Sequence, residues 1–283
     1  MTEALAAAAA EALGRPTSGI DWLAPAIACD IALEAGADPV AALAILRAVL
    51  GRSPIDVAVQ EMATRRKSIL IADMDSTMIG QECIDELAAE VGLKDHVAAI
   101  TARAMNGEIE FEPALRERVA LLAGLPVTVI EKVIASRITL MPGGRALVAT
   151  MRANGGYTAL VSGGFTAFTG PVGALIGFDE NRANILIAEE GRLAGTVAEP
   201  ILGKQAKVDA LVEIAARLGR TPADAIAVGD GANDLGMIAR AGTGVALHAK
   251  PAVAAEADIR IDHGDLTALL YLQGYRQRDF VVP

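Results

Sequence analysis

The sequence predicts an α/β fold with a doubly wound, mainly parallel sheet, and three observations carry that prediction. Apolar runs of strand length, at 69–72, 157–161, 225–228 and 243–247, alternate with segments of helical spacing, the pattern of crossover-linked parallel strands. The first run, Ile69-Leu70-Ile71-Ala72, is apolar throughout, as a strand buried on both faces is. It ends in two carboxylates, Asp73 and Asp75, and ligands of open α/β sheets bind beyond the carboxyl ends of the strands. Composition agrees: the chain is 53% hydrophobic but 3% aromatic and holds 28 glycines, so its core is built from small aliphatic residues that let helices pack closely on a sheet.

Taken in order, residues 1–66 read as a small α/β appendage. An Ala-rich helix is broken at Gly14-Arg15-Pro16, an apolar stretch runs from Trp22 to Leu33, and a second helix runs from Pro39 to Leu50 and stops at Gly51. Residues Ile55 to Val59 alternate like a strand, and Arg65-Arg66-Lys67 reads as a solvated linker. The core is expected to comprise residues 67–79 and 138–283. Between its two parts, residues 80–137 read as four short helices with breaks at Gly92, Gly107, Gly124 and Pro126, a helical cap over the strand ends. The core resumes with a helix from Arg145 to Asn154, a strand from Tyr157 to Val161, and a tight turn at Ser162-Gly163-Gly164. A hairpin of 184–188 with 193–197, a helix from Lys204 to Leu218, and strands at 225–228, 243–247 and 259–261 complete it.

Several function classes are disfavoured. A net charge of -10 and a pI near 4.9 speak against nucleic acid or an anionic membrane as partner, so an anionic substrate would need local positive charge or a metal. The opening MTEALAAAAAEALG lacks a basic leader, and no apolar stretch reaches the roughly 18–20 residues of a membrane span, so a cytoplasmic protein is expected. Cys29 and Cys83 lack metal-type spacing and read as reduced, packed thiols. His96, His248 and His263 are scattered and read as structural.

Four features stand in a fixed order: DMDST from Asp73, SGG from Ser162, Lys207 near the start of a helix, and GDGAND from Gly229. In these motifs and intervals, over about residues 67–275, the sequence resembles the haloacid dehalogenase superfamily of phosphoryl-transfer enzymes, and within it the phosphoserine phosphatases. The resemblance implies a Rossmann-like core with a cap. It makes Asp73 the nucleophile that forms an aspartyl-phosphate. Asp75, on the same side if the chain stays extended, would protonate the leaving alkoxide and then activate water. A carboxylate attacking a phosphate monoester needs a cation and fixed donors, and hard oxygen ligands suit Mg2+. The resemblance implies Asp73 and Asp230 carboxylates and the Asp75 carbonyl as ligands, with Asn233 and Asp234 around them. Ser162, the Gly163 N–H and Lys207 would hold the phosphoryl group. In the cap, Glu82, Phe111 and Arg118 match the positions that hold the substrate's amino group, cover the site and clamp its carboxylate.

The implied activity is hydrolysis of O-phospho-L-serine to L-serine, the last step of serine biosynthesis, by a monomer or homodimer. Two alternatives stay open: the same machinery acting on another small phosphomonoester, and a non-enzymatic phospho-acceptor domain. Some phosphoserine phosphatases carry a βαββαβ amino-acid-binding module ahead of the core. Residues 1–66 read either as a degenerate relative of it or as a packing or dimerisation appendage.

Overall fold

Six parallel strands form the central sheet of the computed structural model, which describes residues 1–282. The chain begins with α1 (Glu3–Ala12), a hairpin of β1 (Ile20–Ala24) and β2 (Ala28–Ile31), and α2 (Pro39–Leu50). The Thr2 and Asp38 side chains cap the two helices by accepting the Leu5 and Val40 N–H groups. The sheet starts with β3 (Ile69–Ala72), and four helices follow: α3 (Cys83–Ala89), α4 (Lys94–Met105), α5 (Phe111–Ala120) and α6 (Thr128–Arg137). Next come α7 (Gly144–Ala153), β4 (Tyr157–Phe165), α8 (Thr166–Ile176), β5 (Glu180–Asn184), β6 (Leu186–Glu189) and β7 (Arg192–Val197). The chain continues through α9 (Lys204–Arg217), β8 (Ala225–Gly229), α10 (Leu235–Arg240), β9 (Thr243–Leu247), α11 (Pro251–Glu256), β10 (Ile259–Ile261) and α12 (Ala268–Leu272).

The strand order is β10-β9-β8-β3-β4-β5. The chain lays β4 and β5 on one side of β3, then crosses back to lay β8, β9 and β10 on the other, so the direction of winding reverses at β3. Ala72 pairs with Leu160 on one side and Val228 on the other, which levels the carboxyl ends of three strands. Such a reversal opens a crevice where the flanking loops diverge.

Side-chain alternation along the strands builds two apolar layers. Leu70 and Ala72 join Leu160, Ile226 and Val228 against Leu147, Val148 and Met151 of α7 and Phe168 of α8. Ile69 and Ile71 join Ala159, Ala225 and Ala227 against Leu211 and Ile214 of α9 and Met237 of α10. Three alanines on this second face let α9 lie close to the sheet, which sets the depth at which its first turn meets the strand ends.

The four helices of the insertion attach to the core unevenly. On one edge the β6–β7 hairpin pairs with the loop after α5: Gly124 N–H donates to the Leu193 carbonyl at 2.8 Å, Leu193 N–H to Leu125 at 2.8 Å, and Val127 N–H to Gly191 at 2.9 Å. Near the crevice, the end of α4 receives a single backbone hydrogen bond, from Ala232 N–H to the Met105 carbonyl at 3.0 Å.

Several expectations are corrected. Residues Ile55 to Val59 form no strand; Asp56 instead spends its carboxylate on the N–H groups of Asp262, His263 and Gly264, an anchoring that alternation cannot reveal. Arg65-Arg66-Lys67 is not a solvated linker. Arg65 pairs with Asp30 at 2.7 Å, the Arg66 guanidinium lies 3.7 Å from the Tyr275 ring centroid, and buried Lys67 donates to the Ala223 carbonyl at 2.8 Å. Ser162-Gly163-Gly164 is not a turn but the irregular end of β4, whose pairing with β5 shifts register between Val161 and Phe165. The polar edge strand β5 is missing from the periodicity reading, and the hairpin after it begins at Leu186. Residues 1–66 hold α1, the antiparallel pair of β1 and β2, and α2 in that order.

Candidate functional site

β3 delivers Asp73 to the crevice, where its N–H still continues the sheet by donating to the Val228 carbonyl at 3.0 Å. The chain then turns. The Met74 carbonyl accepts the Met78 N–H at 2.8 Å, and Ser76 adopts φ 56°, so Asp75 is not presented by an extended chain as the sequence reading assumed. The turn brings Asp75 to the same pocket by another route: its Oδ1 accepts the Cys83 N–H at 3.1 Å from the first turn of α3. Its Oδ2 faces the end of β4, where a Cβ on Gly164 would lie only 2.8 Å from it. The Gly164 N–H donates to Ser162 Oγ at 2.9 Å, which fixes the serine beside that acid.

The first turn of α9 adds Lys207, enclosed with 2% side-chain exposure, its Nζ 2.8 Å from Asp73 Oδ1 and 2.6 Å from Asp234 Oδ1. Asp234 Oδ2 accepts the N–H groups of Asp230 and Gly231 at 3.2 and 3.0 Å, so both its oxygens are engaged by protein donors. Asp230 accepts Thr77 Oγ1–H at 3.1 Å and Lys250 Nζ–H at 2.9 Å. Carboxylate oxygens of Asp73, Asp230 and Asp234 lie within 4.8 Å of one another, and Asn233 Oδ1 is buried with no partner. An all-oxygen donor set with a spare buried acceptor fits a hard divalent cation.

The insertion closes the site. Phe111 lies over Gly163, where a Cβ would sit 2.9 Å from the ring. Glu82, just ahead of α3, accepts Ser76 Oγ–H at 2.7 Å. Arg118 lies buried rather than paired with Glu112 or Glu117 on the surface; its Nε donates to the Ala114 carbonyl at 3.0 Å and its Nη1 to Thr101 Oγ1 at 2.9 Å. Asp73, Asp75, Glu82, Phe111, Arg118, Ser162, Gly163 and Asn233 line one cavity of about 20 Å³. Lys207, Asp230 and Asp234 do not line it but cluster around Asp73.

Electrostatics follow from this enclosure. Burial, reinforced by Asp234, holds the Asp73 carboxyl well above the ordinary range. Burial lifts Asp75 to about 6 against the lowering effect of hydrogen bonds from Cys83. Burial and then Asp75 raise Glu82, and burial with Asp234 raises Asp230. For Lys207 burial opposes the ammonium, but Asp234 and Asp73 prevail and raise its pKa. A bound divalent cation would reverse this for the clustered aspartates and keep them ionised.

Asp75 rises from 3.8 to about 6, so across that window the folded state holds more protons than the unfolded one. This contribution to stability is present below the lower value and is lost as pH rises through the upper one. Protein in chelator should therefore melt lower at about pH 8 than at about pH 5, and Mg2+ should raise the midpoint by several degrees more at the higher pH. Thermal melts in the four conditions check it, and equal shifts at both pH values would contradict it.

The sequence reading missed Lys250, Thr77, Asp85 and Thr101. Lys250 sits in the loop after β9, so the rule that strand ends point at the site applies to it too; Thr77 closes the DMDST motif, and nothing in the sequence marks Thr101 as the partner of Arg118 or Asp85 as the partner of Thr101.

The family model of the haloacid dehalogenase-like hydrolases matches residues 70–239. The chain is 41% identical over 231 residues to a phosphoserine phosphatase of Mycobacterium tuberculosis, covering 81% of this chain and 56% of that protein. It is 44% identical over 226 residues to one of Archaeoglobus fulgidus, covering 79% and 65%. The chain thus spans between about half and two thirds of the length of these relatives. The solved structure of a phospho-aspartyl intermediate analogue of phosphoserine phosphatase superposes with a TM-score of 0.70 at 40% identity, over 73% of this chain and 98% of that one. No helix among the described residues is long and apolar enough to cross a membrane.

Proposed function

We propose that this chain, which belongs to the haloacid dehalogenase-like hydrolase family, hydrolyses O-phospho-L-serine to L-serine and phosphate, the closing step of serine biosynthesis. The observation that carries this reading is the convergence, in one cavity, of the Asp73–Asp75 pair with Arg118 and Glu82 from the helical insertion. Phosphoserine carries a phosphate, a carboxylate and an ammonium, and the cavity offers a complement to each.

In this reading Asp73 attacks phosphorus, and the phosphoryl group passes from the serine oxygen to the carboxylate. Lys207, the Ser162 hydroxyl and the Gly163 N–H hold the non-bridging oxygens as negative charge grows on them. Asp75, with a pKa of about 6, is poised between its two states, giving a proton to the departing alkoxide and taking one from the water that cleaves the aspartyl-phosphate. The Asp73 and Asp230 carboxylates and the Asp75 carbonyl would hold Mg2+, which when bound would neutralise charge on the phosphoryl group. Asp234 steadies the loop carrying Asp230 by accepting from Lys207 and from the Asp230 and Gly231 N–H groups, and the unpartnered Asn233 Oδ1 is an acceptor for the metal's surroundings. Arg118 forks onto the substrate carboxylate, Glu82 receives the ammonium, and Phe111 excludes water. A cavity of about 20 Å³ holds little more than one water, and in this reading the insertion moves aside to admit substrate.

The test is steady-state turnover of phosphoserine and p-nitrophenyl phosphate, with and without Mg2+. A clear preference for phosphoserine that depends on the metal is expected; equal turnover of both substrates would refute the assignment. Arg118→Ala should lower kcat/KM for phosphoserine by about 10- to 100-fold, the value of a lost charge-assisted contact, and change p-nitrophenyl phosphate turnover little. Parallel losses on both substrates would show that Arg118 supports the fold rather than the substrate.

A further inference from the structure

We propose that Thr101 and Asp85, which do not reach the cavity, are positioning residues that fix the Arg118 guanidinium and so set selectivity for phosphomonoesters bearing a carboxylate. The inference rests on the function proposed above and extends it to two residues outside the substrate's reach.

Arg118 has 2% exposure and stands on α5, and its i−4 bond from Nε to the Ala114 carbonyl fixes only one end of the planar fork. The other end is held from a different helix, by Nη1 donating to Thr101 Oγ1 at 2.9 Å. A hydroxyl has a single hydrogen. Having accepted from Arg118, Thr101 directs its own hydrogen to Asp85 Oδ1 on α3 at 2.7 Å; the Val97 carbonyl, the usual i−4 acceptor for a helical threonine, is farther at 3.1 Å. The chain Arg118 to Thr101 to Asp85 therefore runs in one direction, with a charge at each end, the arrangement in which linked hydrogen bonds strengthen one another.

The interposed hydroxyl has a specific consequence. Asp85 makes no ion pair within 4.0 Å of Arg118, although it is the foremost charge offsetting the cost of burying that guanidinium. A carboxylate in direct contact would occupy the fork and compete with the substrate's own carboxylate. Held one hydroxyl away, Asp85 steadies the buried cation and leaves its remaining donors, one on Nη1 and two on Nη2, for the cavity that Arg118 shares with Asp75, Glu82 and Ser162. Three helices of the insertion, α3, α4 and α5, each give one member, so the fork is set by their packing.

The test compares phosphoserine with phosphoethanolamine, which keeps the phosphate and ammonium and lacks the carboxylate. Thr101→Val preserves shape and removes the hydroxyl; it should raise KM for phosphoserine at least tenfold, leave KM and kcat for phosphoethanolamine within about twofold, and so collapse the ratio of the two kcat/KM values. Thr101→Ser restores the hydroxyl and should recover most of the ratio. Should Thr101→Val fail to fold, Asp85→Asn, which keeps an acceptor and removes the charge, decides the matter: a threefold or greater fall in the ratio supports the inference, and an unchanged ratio overturns it. A folded Thr101→Val with an unchanged ratio, or with equal losses on both substrates, also overturns it. These results differ from failure of the parent reading, which would appear in the unmodified protein as no preference for phosphoserine.

Discussion

Asp73→Asn leaves a folded protein whose turnover is lower by a factor on the order of 10⁴ to 10⁶, the scale seen when a covalent nucleophile is removed. The fold survives because the amide reproduces what the carboxylate does structurally. Its oxygen still accepts the Met74 N–H and the Lys207 ammonium, both of which now lie 2.8 Å from Asp73 Oδ1. It also removes a negative charge from a group that burial and Asp234 already disfavour, so the variant in chelator should melt no lower than the parent. The chemistry does not survive, since an amide is too weak a nucleophile to take the phosphoryl group. Phosphate release and a thermal melt together check this; residual activity above about one part in a thousand would point to another acceptor.

Lys207→Met acts on stability as well as rate. Lys207 is enclosed against Asp73 and Asp234, the latter fully buried, and removing one partner of a buried ion pair costs about 3–5 kcal/mol because the other stays buried and uncompensated. Here two carboxylates are left facing each other and Asp230. The denaturant midpoint in chelator should fall by a corresponding amount, and Mg2+ should recover part of it by replacing the lost charge. Turnover should drop about 10² to 10³-fold even with saturating metal, the effect of losing one fixed donor to a developing anion. An unchanged midpoint in chelator would mean that Lys207 does not neutralise the cluster.

How much of this was readable from the residues depends on how local each feature is. β3 and β8 announced themselves because strands buried on both faces are apolar at every position, and the acids after Ala72 and Val228 lie within a few residues of them. Lys207 needed its interval to the GDGAND motif, and the turn at Asp75 was hidden because Ser76 gives no signal of a positive φ. Arg65-Arg66-Lys67 looked solvated because its partners, Asp30, Tyr275 and Ala223, come from distant parts of the chain. Asp85 and Thr101 were invisible for the same reason: each is an ordinary residue of its own helix, and only the packing of α3, α4 and α5 relates them to Arg118.

The uneven attachment of the insertion gives its motion a direction. Three strand-like bonds to Leu193 and Gly191 hold one edge, while the edge at the crevice is held by one backbone bond, Ala232 to Met105, and the exposed Arg116–Glu199 ion pair. The weaker seam is expected to part first, with the insertion turning on the β6–β7 hairpin. The gap then opens along Phe111, Gly203 and Asn233, which already border an external groove. Ala232 belongs to the same short loop as Asp230 and Asn233, so the latch and the groups that face the metal move as one piece. Amide exchange at Ala232 should therefore slow when metal is added, while exchange at Leu193 stays put.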